Sequence, residues 1–82
     1  MNKVKIHLFA TLRDYTGEKT IEMEIPVGMT IAGLKARLIE AYPKLNAVKE
    51  SMMAAINREY ASDDQILPLQ AEIALFPPVS GG

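Results

Sequence analysis

The sequence predicts an α+β fold in which a mixed sheet of four to five strands covers one main helix. Two segments of alternating apolar residues come first, one segment of helical periodicity follows, and short apolar segments return after it. This order of elements is typical of a domain whose sheet packs on a single helix. The chain has 82 residues, of which 49% are apolar and 23% charged, and this is the size and composition of one globular domain.

The first two elements are predicted to be strands, at residues 3–10 and 20–25. Their apolar side chains occupy every second position, as in a strand with one covered face. The alternating positions are Val4, Ile6 and Leu8 in the first strand, and Ile21, Met23 and Ile25 in the second. A turn region that closes at Gly17 joins the two strands. Pro26 ends the second strand because proline lacks the N–H that sheet pairing needs.

The main helix is predicted to begin after Thr30 and to end near Tyr42. The hydroxyl group of Thr30 can cap the helix by accepting a hydrogen bond from a backbone N–H of the first turn. Pro43 stops the helix because the residue before a proline is biased away from helical geometry. The apolar stripe consists of Ile31, Leu34, Leu38 and Ala41, whereas Lys35, Arg37 and Glu40 fall on the remaining faces.

The second half of the chain is predicted to return to the sheet in short strands. In order, it contains a third strand at residues 52–57, a turn at residues 57–59, a short strand at residues 60–61, a loop at residues 62–70 and a final strand at residues 72–76. Residues 45–51 are ambiguous, and we interpret them as a helical turn. The predicted order of elements is therefore β-β-α-β-(β)-β.

Two phenylalanines are predicted on the outer face of the sheet. If the first and last strands lie side by side in its centre, Ile73 and Leu75 face the helix, and alternation then places Phe76 and Phe9 on the opposite face. A domain with one helix has no second layer to cover that face, although a loop could cover it instead. Tyr60 is a third candidate for this surface. Contiguous exposed apolar surface marks an interface, so we expect these aromatic side chains to bind a partner.

The composition excludes several classes of function. Nine Lys and Arg against ten Asp and Glu leave a net charge of -1, without a basic run that could bind nucleic acid. The chain has no cysteine, and we interpret its single histidine, His7, as an ordinary strand residue, so neither metal ligands nor a bound cofactor are expected. Asp63 and Asp64 are predicted to lie in a solvated loop. No segment resembles a signal peptide or a membrane span, which predicts a cytoplasmic protein.

The chain ends in a segment unlike the rest, Phe-Pro-Pro-Val-Ser-Gly-Gly. Pro77 and Pro78 end sheet pairing and project the chain outward, whereas the two terminal glycines carry no side chain and have wide conformational freedom. We therefore predict a globular domain at residues 1–77 and a flexible tail at residues 78–82. The six residues from Pro77 to Gly82 reach about 20 Å when extended, which is enough to enter a pocket of a partner. The α-carboxylate of Gly82 is ionised at neutral pH and must be activated before a nucleophile attacks it.

Three segments of the chain match one known group of proteins. They are residues 9–14 together with Gly17, residues 55–57, and the closing residues 72–82. On these segments the chain resembles the ubiquitin-like sulfur carriers of the β-grasp fold, and among them the small subunit of molybdopterin synthase. In one departure, Gln70-Ala71-Glu72 stands where that family commonly has Gly-Asp-Glu. Losing this glycine usually means losing a positive-φ position, so we expect a different turn guided by Pro68.

The resemblance implies a carrier that is not an enzyme on its own. An activating enzyme would use ATP to adenylate the carboxylate of Gly82, and sulfur would then replace one oxygen to give a thiocarboxylate. The tail would enter the large subunit of molybdopterin synthase, within a heterotetramer. There it would donate the sulfur to cyclic pyranopterin monophosphate during molybdenum cofactor biosynthesis. Gly81 and Gly82 would be the residues that take part in this chemistry.

The outer-face argument, the tail and the resemblance together give eight residues that are expected to bind partners. They are Phe9, Arg13, Tyr60, Phe76, Pro77, Pro78, Val79 and Ser80. Arg13 either contacts the activating enzyme or forms an ion pair with a nearby acid such as Asp14. Three other functions remain open. The same terminus could supply sulfur to a thiamin precursor or another acceptor, or it could join the chain to lysines of other proteins as a ubiquitin-like modifier. The chain could also be a pure interaction module.

Overall fold

The computed structural model of the chain describes residues 1–77. The predictions for Pro78, Val79, Ser80, Gly81 and Gly82 fall outside the described residues. The elements are β1 (Asn2–Leu8), α1 (Thr11–Thr16), β2 (Thr20–Ile25), α2 (Ile31–Ala41), a 3₁₀ helix (Pro43–Val48), β3 (Met53–Ile56), β4 (Glu59–Ala61) and β5 (Glu72–Phe76). Within residues 1–77, the helices are too short and too polar to cross a membrane.

The sheet contains five strands in the order β2-β1-β5-β3-β4. The first and last strands lie side by side in its centre and run parallel, as predicted, while β2 and β3 flank them as antiparallel neighbours. Ile6 pairs with Ile73 and Leu8 pairs with Leu75. All four of these side chains are fully buried, so the central strands turn the same face toward the helix.

Helix α2 packs on that inner face with the predicted bounds, although Ala41, which was predicted in its apolar stripe, is exposed in the last turn. The hydroxyl oxygen of Thr30 accepts a hydrogen bond from the backbone N–H of Gly33 at 3.2 Å and caps the helix. Leu34 and Leu38 are fully buried against the sheet. The 3₁₀ helix after Pro43 matches the predicted helical turn and adds the buried Leu45 to the core.

The connection between β1 and β2 differs from its prediction. The predicted turn region is the short helix α1, which Leu12 anchors in the core with no exposed surface. Strand β1 ends at Leu8 because the chain leaves the sheet at Ala10, whose φ is 53°. Gly17 ends the helix in a left-handed conformation with φ of 76°. One and a half turns contain too few periods for a helical pattern to show in the sequence.

Lys35 also differs from its prediction, because it is not on a solvent-exposed face of α2. Only 8% of Lys35 is exposed, and its Nζ donates hydrogen bonds to the carbonyl oxygen of Met52 at 2.6 Å and to Oδ1 of Asp63 at 2.7 Å. Asp63 is therefore tied to the helix rather than simply solvated. A buried ammonium group requires such acceptors, since burial without them carries a large penalty.

The turn before β5 keeps the positive-φ position that the sequence was expected to lose. Gln70 has a φ of 55°, so glutamine adopts a left-handed conformation that favours glycine. Asn2 supports the turn from the first strand: its Nδ2 donates to the carbonyl oxygen of Pro68 at 2.9 Å, and its Oδ1 accepts from the N–H of Gln70 at 2.7 Å. Asn2 is 2% exposed. The expected loss of a positive-φ position is therefore wrong, because Gln70 adopts positive φ in a turn that the side chain of Asn2 stabilises.

Gln70→Gly is expected to raise the free energy of unfolding by about 0.5–1 kcal/mol. Glycine adopts positive φ without the steric cost that a Cβ carries, and the N–H that bonds Asn2 is retained. Chemical denaturation of both proteins measures the change. Glu18→Gly is the control, because Glu18 is exposed and its φ is not positive, so glycine should lower stability there. A loss of stability in Gln70→Gly would contradict the explanation.

Candidate functional site

Three aromatic side chains lie together on the outer face of the sheet, where strand β5 ends. The rings of Phe9 and Phe76 are stacked, with centroids 5.2 Å apart and an interplanar angle of 16°. The ring of Tyr60 tilts against Phe76 at a centroid distance of 6.2 Å. We call Phe9, Tyr60 and Phe76 the aromatic cluster. The structure therefore brings together the three residues that the sequence placed on this face.

The position of the cluster follows from strand alternation. Leu75 is fully buried under the sheet, so Phe76 must point to the opposite face. The N–H of Phe9 donates to the carbonyl oxygen of Leu75 at 3.2 Å, which holds Phe9 beside the end of β5 although β1 has already ended. Pro77, the last described residue, follows Phe76 directly.

The cluster is accessible to a partner. Phe9 is 37% exposed and Tyr60 is 77% exposed, so no loop within residues 1–77 covers the cluster. Met53 pairs with Phe76 in the sheet and adds a further exposed apolar side chain. Adjacent exposed aromatic side chains are enriched in protein interfaces, because they bury a large apolar area when they are covered.

Arg13 supports the cluster from helix α1. Its Nε donates a hydrogen bond to the carbonyl oxygen of Leu8 at 2.8 Å, and its guanidinium carbon lies 5.6 Å from the centroid of the Phe9 ring. This distance is typical of a cation–π contact. Within residues 1–77, Arg13 forms no ion pair with Asp14 or another acid, so the ion pair offered as an alternative role for this residue is not observed.

A polar group borders the cluster along the central strands. Nε2 of His7 donates to Oε1 of Glu72 at 2.9 Å, and Nδ1 of His7 lies 3.3 Å from the hydroxyl oxygen of Thr20. The hydrogen bond from His7 lowers the pKa of Glu72. The sequence identified His7 only as a strand residue, because its partner is 65 residues away and becomes a neighbour through the register of β1 and β5.

The outer face of the sheet contains a groove next to the aromatic cluster. Its floor is Ala55 and Ala74, which pair across β3 and β5, and its volume is about 670 Å³. The groove is also lined by the aromatic cluster, by Arg58 and by the pair of His7 and Glu72. The groove was not predicted from the sequence. Ala55 and Ala74 are small, but they leave space together only because the register sets them opposite each other.

The comparisons with known proteins agree over the whole chain. The sequence model described as the ThiS family matches residues 6–82. The molybdopterin synthase sulfur carrier subunit of Arabidopsis thaliana is 34% identical and covers 98% of this chain and 83% of the relative. The subunit of the same name from Dictyostelium discoideum is 37% identical and covers 99% of this chain and 98% of the relative.

A solved structure confirms the ubiquitin-like β-grasp fold that the resemblance implied. The crystal structure of small archaeal modifier protein 1 from Haloferax volcanii superposes with a TM-score of 0.86. It is 25% identical and covers 96% of this chain and 100% of that chain. The two chains therefore share one fold, which in this chain is a mixed sheet of five strands with one main helix.

Proposed function

The chain belongs to the ThiS family, and we propose that it is the sulfur carrier subunit of a molybdopterin synthase. One observation carries the proposal: relatives named for this role are similar over nearly the whole chain and not in one segment alone. The proposed carrier acts in the cytoplasm and has no catalytic activity by itself. Its reactive group is the α-carboxylate of Gly82.

In the proposed first stage, an activating enzyme loads sulfur onto Gly82. A carboxylate oxygen attacks ATP, pyrophosphate leaves, and an acyl-adenylate forms. A sulfur nucleophile then attacks the acyl carbon, AMP leaves, and the terminus becomes a thiocarboxylate. Activation is required because an ionised carboxylate is a poor electrophile. The acyl carbon of the adenylate is a better electrophile, since AMP is a good leaving group.

In the proposed second stage, the tail enters the large subunit of the synthase. The thiocarboxylate sulfur attacks a carbon of cyclic pyranopterin monophosphate and displaces the oxygen substituent of that carbon, which leaves with its electron pair and takes up a proton. Water then cleaves the acyl–sulfur bond, which leaves the sulfur on the acceptor and restores the Gly82 carboxylate. Gly81 and Gly82 suit a narrow channel because they have no Cβ. Pro77 and Pro78 restrict the direction in which the tail leaves the body.

The aromatic cluster supports this proposal as a docking surface. It lies beside Pro77, so a partner that accepts the tail must also approach Phe9 and Phe76. Interfaces concentrate their binding energy in such central aromatic side chains. We propose that the large subunit covers the cluster in a heterotetramer and that the activating enzyme also recognises the tail.

Two other functions use the same terminus. The similarity to a protein named small archaeal modifier protein 1 favours a modifier that is joined to lysines through Gly82. The name of the ThiS family leaves delivery to a thiamin precursor as a third candidate. Whole-chain similarity to named sulfur carrier subunits at 34% and 37% identity makes the synthase role the leading proposal.

Intact-mass analysis of the chain co-expressed with its activating enzyme tests the proposal. We expect a mass change equal to the exchange of one oxygen for one sulfur, and we expect this form to transfer sulfur when the large subunit and cyclic pyranopterin monophosphate are added. Ladders of conjugates on other proteins would instead support the modifier. An unaltered terminus under all conditions would contradict every function proposed here.

A further inference from the structure

Arg58 occupies a turn position that favours glycine. The turn between β3 and β4 has Asn57 and Arg58 at its two central positions, with φ values of 47° and 75°. Positive φ at both positions is typical of a type I′ hairpin turn, in which asparagine followed by glycine is the preferred pair. Arginine at the second position is strained by its Cβ. A strained residue of this kind indicates a role for its side chain.

Arg58 is exposed and lines the groove over Ala55 and Ala74. Within residues 1–77, no carboxylate lies within 4.0 Å of the Arg58 guanidinium. Glu72, the acidic residue that lines the same groove, is already bound by His7 at 2.9 Å. The groove therefore combines small apolar residues and aromatic rings with the exposed cation of Arg58 and the paired side chains of His7 and Glu72.

We propose that Arg58 is a specificity-determining residue for docking to the large subunit. Its guanidinium binds a carboxylate of that subunit, while an apolar side chain of the same partner fills the groove over Ala55 and Ala74. This inference rests on the proposed function, because it assigns a contact to the partner that receives the tail.

The groove is continuous with the aromatic cluster, and this supports the large subunit as the partner that fills it. Phe9, Tyr60 and Phe76 line the groove and also form the aromatic cluster at the root of the tail. A partner that covers the cluster must therefore also cover the groove. Two floor alanines leave room for a side chain to enter, and arginine binds carboxylates with two parallel hydrogen bonds, which adds geometric specificity. The chemistry of the groove thus fits an apolar side chain next to an acid.

The test compares stability with affinity in the same variant. Arg58→Gly should raise the melting temperature, because it relieves the positive φ, yet should weaken binding of the purified large subunit about tenfold. It should also reduce the dependence of that affinity on salt, since one ion pair is lost. Thermal unfolding and calorimetric titration measure the two effects. A purely structural role for Arg58 cannot produce these opposite changes.

Two further variants complete the test. Gln70→Gly is the matched control, because it relieves positive φ without removing a charge, so affinity should not change. Ala74→Leu fills the groove and should weaken binding at least tenfold. Unchanged affinity of Arg58→Gly would overturn the inference, and so would a loss of affinity only toward the activating enzyme. Sulfur loading and transfer by the unmodified chain test the proposed function separately, so the two failures are distinguishable.

Discussion

Deletion of Gly82 is expected to abolish sulfur transfer while leaving the melting temperature unchanged. The shortened chain would still end in a carboxylate, but that group would lie about 3.3–3.6 Å short of its position in the partner. A misplacement of 1 Å can already reduce a reaction rate about a hundredfold. Stability should not change, because the buried core is built from residues between Val4 and Leu75. A transfer assay with the large subunit and thermal unfolding measure the two quantities.

The control for this deletion is Gly82→Ala, which keeps the length and the carboxylate but adds a Cβ. We expect this variant to retain measurable transfer at a reduced rate. The added methyl group reduces the space between the tail and the wall of a partner channel that is suited to glycine. Full transfer by the shortened chain would show that another group carries the sulfur. A large fall in melting temperature would show that Gly82 contributes to the fold.

Phe76→Ala is expected to weaken binding to the large subunit by about 2 kcal/mol, or roughly 30-fold. Phe76 contacts both other members of the aromatic cluster, at centroid distances of 5.2 Å and 6.2 Å. Its truncation therefore removes the ring that joins Phe9 and Tyr60 into one surface. Calorimetric titration with the large subunit measures the loss, and circular dichroism checks that the sheet is retained.

Leu69→Ala is the matched control for Phe76→Ala. Leu69 is 67% exposed and precedes Gln70, whose N–H bonds Asn2 at the start of β1, far from the aromatic cluster. Loss of this exposed apolar side chain should leave affinity unchanged. Equal affinity of Phe76→Ala and the unmodified chain would contradict the assignment of the cluster as the docking surface.

Much of the fold could be predicted because its signals are local. Alternation over residues 20–25 and the stripe of α2 each identify an element without reference to the rest of the chain. The short helix α1 escaped prediction because its stability comes from the buried Leu12 and not from a repeated pattern. The positive φ of Gln70 was not predicted for a similar reason, since Asn2, which supports its turn, is distant in sequence.

The same distinction applies to the candidate site. The aromatic cluster was predictable because strand parity fixes the face of Phe9 and Phe76 once β1 and β5 are neighbours. The groove over Ala55 and Ala74 was not, because it depends on which residues stand opposite each other in β3 and β5. The role proposed for Arg58 could not be predicted either, because only the structure shows the positive φ of this residue.

The sequence by itself determined the order of the strands and the main helix, the face of each strand that is buried and the family to which the chain belongs. These properties depend on residue type and spacing over short distances. The tertiary structure alone decided the register of β5 against β1 and β3, the burial of Lys35, and the partners of His7 and Asn2. Each of these depends on contacts between residues far apart in the chain, and such contacts leave no periodic signal in the sequence.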